Sequence, residues 1–247
     1  MLKSETANAT NQSVSDVHVH RLAGYIIDTG LEPLPLPPEF YYASLPLCVI
    51  DAVFSIGVTY TSTRNTVARF CERQEWMKSK APDQHRMEGE HTIGAFLSLF
   101  DNMRPDQMAD DLFGNRQRTS SRSGILKAEA VWHYAMALRD TGINDFPDLN
   151  NDRLTEAEAI VRSIPGQRSG ISFDYFRMLA GDNGRIKPDR MVQRFIAKAL
   201  GTTPEQVGPD MAREVLQGTV EELINRGHTW SPRRLDYVIW QRESSGG

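Results

Sequence analysis

The sequence predicts an all-α protein, and three observations carry that prediction. Apolar residues recur at helical spacing in segment after segment. No window sustains the period-two alternation of a half-buried strand, and the single Asn-Gly pair, Asn183-Gly184, lies between two helical patterns. Helix-start signals recur late in the chain, at Thr155-Glu156-Ala157-Glu158, Thr203-Pro204-Glu205-Gln206 and Ser231-Pro232.

Each element follows in order. Residues 1–16 are rich in Ser, Thr, Asn and Gln, and a disordered tail is expected over 1–19. A first helix covers His20 to Thr29 and ends near Gly30. Four prolines within residues 33–38 then force an extended connector, because each fixes φ and removes an N–H donor. Pro46 to Arg73 reads as two helices with a turn near Tyr60–Ser62. Ile50, Val53 and Phe54 face inward in the first, Val67 and Phe70 in the second. Residues 72–92 are charged and polar, an insertion or an exposed helix. Short helices follow at Ile93–Phe100 and from Pro105, where Pro suits the first helical position. Gly114 to Gly124 is a loop rich in Arg, Gln and Ser. A longer helix spans Ile125 to Arg139, with Val131, Ala135 and Leu138 inward. The Thr155 box opens a helix to about Ser163. A second begins at Ile171, a third follows Asp189, and the last runs from Ser231-Pro232 to near Trp240. A second disordered tail is expected over 243–247.

Composition narrows the functions. The chain has 247 residues, with 28 Lys and Arg against 32 Asp and Glu, a formal net charge of −4. That excludes a globally basic DNA-coating protein but not an enzyme with a local basic face. Two Cys, Cys48 and Cys71, cannot supply a four-thiolate zinc site or the four ligands of an iron–sulfur cluster. Both lie inside helical patterns and read as small buried apolar residues. No apolar run is long enough to span a membrane and no signal-peptide pattern opens the chain, so a cytoplasmic protein with reduced thiols is expected.

The richest segment is Thr155 to Leu200. A capped helix enters Ile164-Pro165-Gly166-Gln167-Arg168-Ser169-Gly170, and the next helix carries Ile171, Tyr175, Met178 and Leu179 on one face. Gly166 and Gly170 permit positive φ and close approach of another backbone. Unpaired N–H groups at the start of the second helix, beside its positive dipole end, make a backbone phosphate site that reads no sequence. A plain helical corner with glycine caps is the competing reading. Asp189 stands 25 residues after Ile164, at the N-terminus of the third helix. Taken alone, it is a helix cap.

This arrangement resembles the helix-hairpin-helix DNA glycosylase superfamily, the group of endonuclease III, the adenine mismatch glycosylase and the alkylpurine glycosylases. The family hairpin reads Leu-Pro-Gly-x-Gly, and a catalytic Asp follows at this distance. Ile164-Pro165-Gly166 matches its start, while Arg168 stands where the second Gly is usual. In Leu47 to Arg69, Ser55 and Thr59 match the family's first barrel helices, with Gly57 in place of the Gln that probes the DNA stack. Lys127-Ala128-Glu129 resembles the start of the helix two before the hairpin, and Arg234 to Trp240 the last helix. The resemblance covers about residues 45–242.

What it implies is a two-lobed helix-hairpin-helix glycosylase-like fold. A six-helix barrel lobe would span 46–184 and end in the hairpin; residues 20–45 with 185–242 would form the second helical lobe. Double-stranded DNA would lie across the cleft, with Asp189 at its floor. Such an enzyme flips a nucleotide out and cuts the bond between base and sugar. Asp189 is the implied catalytic carboxylate, stabilising the sugar cation or activating water. The family's lyase Lys, which attacks the sugar and nicks the strand, aligns with Gly170, which cannot attack. The implied activity is therefore monofunctional and leaves an abasic site. Lys187, close to Asp189, reads as a solvated or phosphate-facing residue.

Gly166, Gln167, Arg168, Ser169, Gly170, Lys127 and Arg122 are the expected DNA-backbone contacts, with Arg116, Arg118 and Arg162 adding to the basic face. Tyr60 is the candidate wedge, in the region of the missing Gln. Tyr42, Trp132, Tyr175 and Trp240 are candidates for stacking on the base. His133 on an apolar face reads as a core histidine. With only Cys48 and Cys71, the iron–sulfur cluster of many family members is not expected, nor is a metal centre, and the resemblance leaves room for a monovalent cation at the hairpin. A monomer acting on double-stranded DNA, with no membrane partner, is expected. Two other readings stay open. One is a non-catalytic helix-hairpin-helix DNA-binding protein. The other is a defence or toxin glycosylase that removes normal or hypermodified bases.

Overall fold

A computed structural model describes residues 3–79, 91–121 and 123–245, and side chains from Ser15 onward. The chain divides into two compact units. Met1–Leu36 with Asp182–Gly247 form one, and Pro37–Gly181 the other. The connector residues from Pro37 onward therefore belong with the unit that holds the hairpin, not with the terminal segments. Among the described residues no strand forms, and pairing is limited to two isolated bridges, Tyr42 with Ser79 and Arg118 with Leu126.

The unit Pro37–Gly181 is built around α2 (Leu45–Phe54). Pro46 occupies its first turn, where the missing N–H costs nothing, and all ten residues are buried. The helices α3 (Tyr60–Gln74), α4 (Ile93–Ser98), α6 (Lys127–Asp140) and α8 (Ile171–Leu179) pack on it, and α7 (Asn151–Val161) packs on α6. A single turn, α5 (Pro105–Gln107), runs into a π-helical turn at Met108–Phe113 that ends on Gly114. Aromatic rings fill the core: Phe70 stacks on Phe113 and meets Phe96 and Trp76 edge-on. Cys48 and Cys71 are both buried in this core.

Several expectations about this unit are corrected. The turn between α2 and α3 lies at 55–59, with Gly57 at φ 72°, and Tyr60 is already the first residue of α3. The α7 helix opens at Asn151, not at Thr155, because the Asn150 side chain accepts the Arg153 N–H at 3.0 Å. Thr155 sits inside that helix and donates its hydroxyl to the Asn151 carbonyl. His133 is half-exposed rather than a core residue, 4.0 Å from Glu129. Of the segment expected at 72–92, residues 80–90 lie outside the described residues.

Lys127 is the largest correction. It was expected on the phosphate-facing surface, but its residue is only 2% exposed. Its ammonium donates to the Phe54 carbonyl at 2.8 Å, the Ile56 carbonyl at 2.7 Å and Gln117 Oε1 at 3.3 Å. The cation thus closes the C-terminal end of α2, where the orphan carbonyls and the helix dipole both favour positive charge.

The second unit holds α1 (Lys3–Asp28), α9 (Arg190–Leu200), α10 (Pro209–Asn225) and α11 (Pro232–Ser245), with a 3₁₀ turn at Pro204–Gln206. The tails expected over 1–19 and 243–247 are corrected in part, since helix begins at Lys3 and continues to Ser245. The N-terminal helix extends because it lies along α10: Ser15 donates to Glu214, and Val19 packs where Gly218 leaves room for it. Leu22, Ala23 and Ile26 of α1 join Val192, Phe195 and Ile196 of α9, with Leu216 and Leu235, in one core. The capping box expected at Thr203 is present.

Replacing Lys127 with Met keeps the aliphatic stem but takes the ammonium from a buried carbonyl, that of Phe54, and a part-buried one, that of Ile56. The expected loss is roughly 2–4 kcal/mol of unfolding free energy, read as a lower urea midpoint. An unchanged midpoint would remove this ammonium from the account of the core.

Candidate functional site

In the unit Pro37–Gly181, the turn after α7 is a chain of short backbone bonds. Ile164 N–H donates to the Val161 carbonyl, Gln167 N–H to Ile164 at 2.9 Å, and Gly170 N–H to Gln167 at 3.0 Å. Gly166 has φ 89° and Gly170 φ 75°, both in the left-handed region that favours glycine. Gly170 is the N-cap of α8, and its carbonyl accepts the Phe173 and Asp174 N–H groups. The N–H groups of Arg168 and Ser169 make no hydrogen bond among the described residues, and both residues are exposed. The Arg168 guanidinium likewise has no ion pair among them. Arg162, an exposed residue, braces the turn by donating to the Arg168 carbonyl at 3.2 Å and to Glu158. Two open N–H groups and one free cation therefore stand at the positive end of a nine-residue helix.

Gln167 does not join them. Its residue is 2% exposed and its Oε1 lies buried without a hydrogen bond, so its side chain is not a surface contact for DNA. The turn's geometry explains this correction. Arg168 and Ser169 point outward, and the residue between Gly166 and Arg168 turns into the core.

The close approach foreseen at Gly166 comes from the protein itself. A Cβ there would collide with Thr119, including its carbonyl oxygen at 3.2 Å. Thr119 belongs to the Arg-rich loop 114–124, which folds back as a narrow ladder. Thr119 N–H donates to the Ile125 carbonyl at 2.9 Å and Lys127 N–H to Gln117 at 2.8 Å. Asn115 and Gln117 stitch the loop to α3 through Thr66 and Ser62. Arg116 pairs with Asp110, and Arg118 donates to the Gly124 carbonyl. The basic loop and the hairpin are thus adjacent, and Thr119 is the contact that sequence reading missed. Arg122 lies outside the described residues.

The aromatic candidates of this unit are held by its core. Tyr42 is buried and donates to Asp51 Oδ2 at 2.7 Å; burial and that carboxylate push its phenol well above its ordinary range. Tyr175 is buried nearby. Both are core residues rather than open stacking surfaces. Tyr60 is half-buried, stacks on Phe40 and donates to Glu39 at 3.0 Å, so it is held at ring and hydroxyl instead of projecting as a free wedge. Trp132 is half-buried on α6 beside His133.

In the other unit, Asp189 is the N-cap of α9. Its Oδ1 accepts the Met191 N–H at 2.8 Å and the Val192 N–H at 3.3 Å. Its Oδ2 makes no hydrogen bond among the described residues, and the residue is partly exposed. A second carboxylate, absent from the sequence reading, lies close by. Asp236 of α11 is 8% exposed and accepts the Lys187 N–H at 2.8 Å, while Asp189 donates its own N–H to the Lys187 carbonyl at 2.7 Å. Burial first, and then the neighbouring Asp189, raise the Asp236 carboxyl to about 7. Arg233, one turn earlier and buried, works against this shift. Arg233, Asp236, Tyr237 and Trp240 share one face of α11, with the Tyr237 and Trp240 rings stacked at 6.2 Å. The signal was legible in principle: Arg233 and Asp236 interrupt the inward apolar positions Leu235, Val238 and Ile239.

No group of three or more His, Cys, Asp or Glu among the described residues could hold a metal ion, and no helix among them is long and apolar enough to cross a membrane. Both units are helical among the described residues. Residues 22–244 match the family described as a domain of unknown function, DUF8548, and the chain belongs to that family. No curated protein and no solved structure matches it.

The Asp236 carboxyl has a pH consequence. Its folded value lies above the unfolded one, so between about 4 and about 7 the folded state holds a proton that the unfolded state has released. Its contribution to stability therefore falls as pH rises through that window. Asp236→Asn keeps an acceptor for Lys187 without an ionisable group. Urea titrations at pH 5 and pH 8 should show the variant gaining on the wild type at the higher pH. An equal difference at both values would contradict the assignment.

Proposed function

We propose that this protein is a monofunctional DNA glycosylase, which flips a damaged, mismatched or modified base from the duplex and hydrolyses its N-glycosidic bond. The observation that carries the reading is the glycine hairpin. The N–H groups of the exposed Arg168 and Ser169 stand just before α8, and a capping carboxylate, Asp189, follows in the order that the helix-hairpin-helix glycosylases use. Backbone N–H groups at a helix start hold a phosphate without reading sequence, as an enzyme scanning for one altered base requires. Arg168 adds charge, and Arg118 lies in the loop braced against the hairpin by Thr119.

Asp189 has the form the chemistry needs. One oxygen is committed to α9 and fixes the carboxylate, and the other is left to face a developing sugar cation or a water. Gly170 occupies the position of the lyase Lys and has no amine, so no Schiff base forms there and the strand is left intact. Lys127, buried at α2, is not in the phosphate-binding set.

The non-catalytic DNA-binding reading is favoured by one specific observation. The cap on α9 accounts for Asp189 without any chemistry.

Duplexes containing alkylated, deaminated, oxidised, mismatched or hypermodified bases, followed by alkali, should reveal base release by the wild type. Asp189→Asn should lower it at least 100-fold while leaving duplex affinity nearly unchanged. Borohydride should trap no covalent adduct. Release by the Asn variant at the wild-type rate would remove Asp189 from the mechanism; duplex binding with no release of any base would favour the non-catalytic protein.

Arg168→Ala should weaken binding to all duplexes alike. It should also lower the slope of log affinity against log salt by about one, as loss of a single phosphate contact requires. A variant with the wild-type slope would place Arg168 off the DNA.

A further inference from the structure

The last helix holds the connector that leads to Asp189 at two points. The backbone N–H of Arg233 donates to the Asn183 carbonyl at 3.3 Å, and Asp236 accepts the Lys187 N–H at 2.8 Å. Between those points Ile186 is buried in the core of the unit. The Asp189 backbone N–H then donates to the carbonyl of the same residue, Lys187, at 2.7 Å. Lys187 thus links the two acids: its N–H donates to the Asp236 carboxylate, and its C=O accepts the backbone N–H of Asp189.

We propose that Asp236 is the positioning residue for Asp189: it anchors the Ile186–Asp189 turn through Lys187, and its charge sets the field in which Asp189 meets the sugar. The proposal rests on the glycosylase reading for its chemistry and on the carboxylate pair for its geometry. Asp236 is too buried to touch a substrate and acts through its neighbour.

The charged groups that bear on Asp236 come from three directions. Asp189 stands at the N-terminus of α9, Lys187 on the connector and Arg233 on α11 itself. The helix α10 also packs on α11, but its buried face, including Ala212, Val215, Leu216 and Leu223, carries no charge. Near pH 7 the Asp236 carboxyl therefore titrates against one anion and two cations. When it ionises, a second negative charge appears behind Asp189 and favours a cationic sugar. Base release should rise through that titration.

Two substitutions separate anchor from charge. Asp236→Asn retains an oxygen for the Lys187 N–H and cannot ionise; Asp236→Ala loses both. Single-turnover base release would be measured from pH 5 to pH 9 on the best duplex of the panel described above. The wild-type rate should rise about tenfold through pH 7. The Asn variant should match the wild type at pH 5 and stay flat, and the Ala variant should be about tenfold slower at every pH. An Asn variant that keeps the full rise overturns the charge role, and an Ala variant as fast as the wild type overturns the anchor.

A second measurement does not depend on catalysis. The ¹³C resonance of the Asp236 carboxyl would be titrated in the wild type and in Asp189→Asn. A midpoint that falls on removal of the Asp189 charge supports the pair; an unchanged midpoint overturns it. Absence of base release by the wild type would refute the glycosylase reading alone, and the carboxyl titration would still decide whether the two residues act as a pair.

Discussion

A fully buried ammonium at the end of a fully buried helix sets the terms for the unit that carries the hairpin. All ten residues of α2 are buried, and its last carbonyls need donors from within the protein. Lys127 reaches them from the first turn of α6 and also bonds Gln117 in the basic loop. A neutral side chain could fill the space but not the acceptors. A second bond between these residues, from the Lys127 backbone N–H to the Gln117 carbonyl, ties the loop to the start of α6. The loop then places Thr119 against Gly166. A helix cap in the core is linked, in two steps, to the geometry of the hairpin.

Glycine at 166 has two separate causes. Its φ of 89° disfavours any side chain, and Thr119 occupies the space that a Cβ would need. The hairpin is therefore braced from one side by protein and open on the other, where Arg168 and Ser169 are exposed. Preorganised N–H donors of this kind bind an anion without first having to be ordered.

The second unit handles charge in the opposite way. There the buried ionisable group is an acid beside another acid, partly offset by Arg233 and Lys187. Such an arrangement weakens the fold as pH rises, which structural economy alone does not favour.

Much of this was legible in the amino-acid order. Helical periodicity and the absence of alternation gave the all-α class. Gly166, Gly170 and Asp189 could be found because they are local devices: a positive φ, a helix start, a cap. The order of residues could not say which helical face a charge occupies once a neighbour covers it. Lys127 looks like a surface cation in a Lys-Ala-Glu start, and only the packing of α2 on α6 puts it inside. Tyr42 and Tyr175 look like stacking surfaces until the core closes over them. The pair of Asp189 with Asp236 joins residues 47 positions apart through the backbone of a third. Local chemistry is written in short sequence, whereas burial and charge pairing depend on long-range contacts that exist only once the chain has folded.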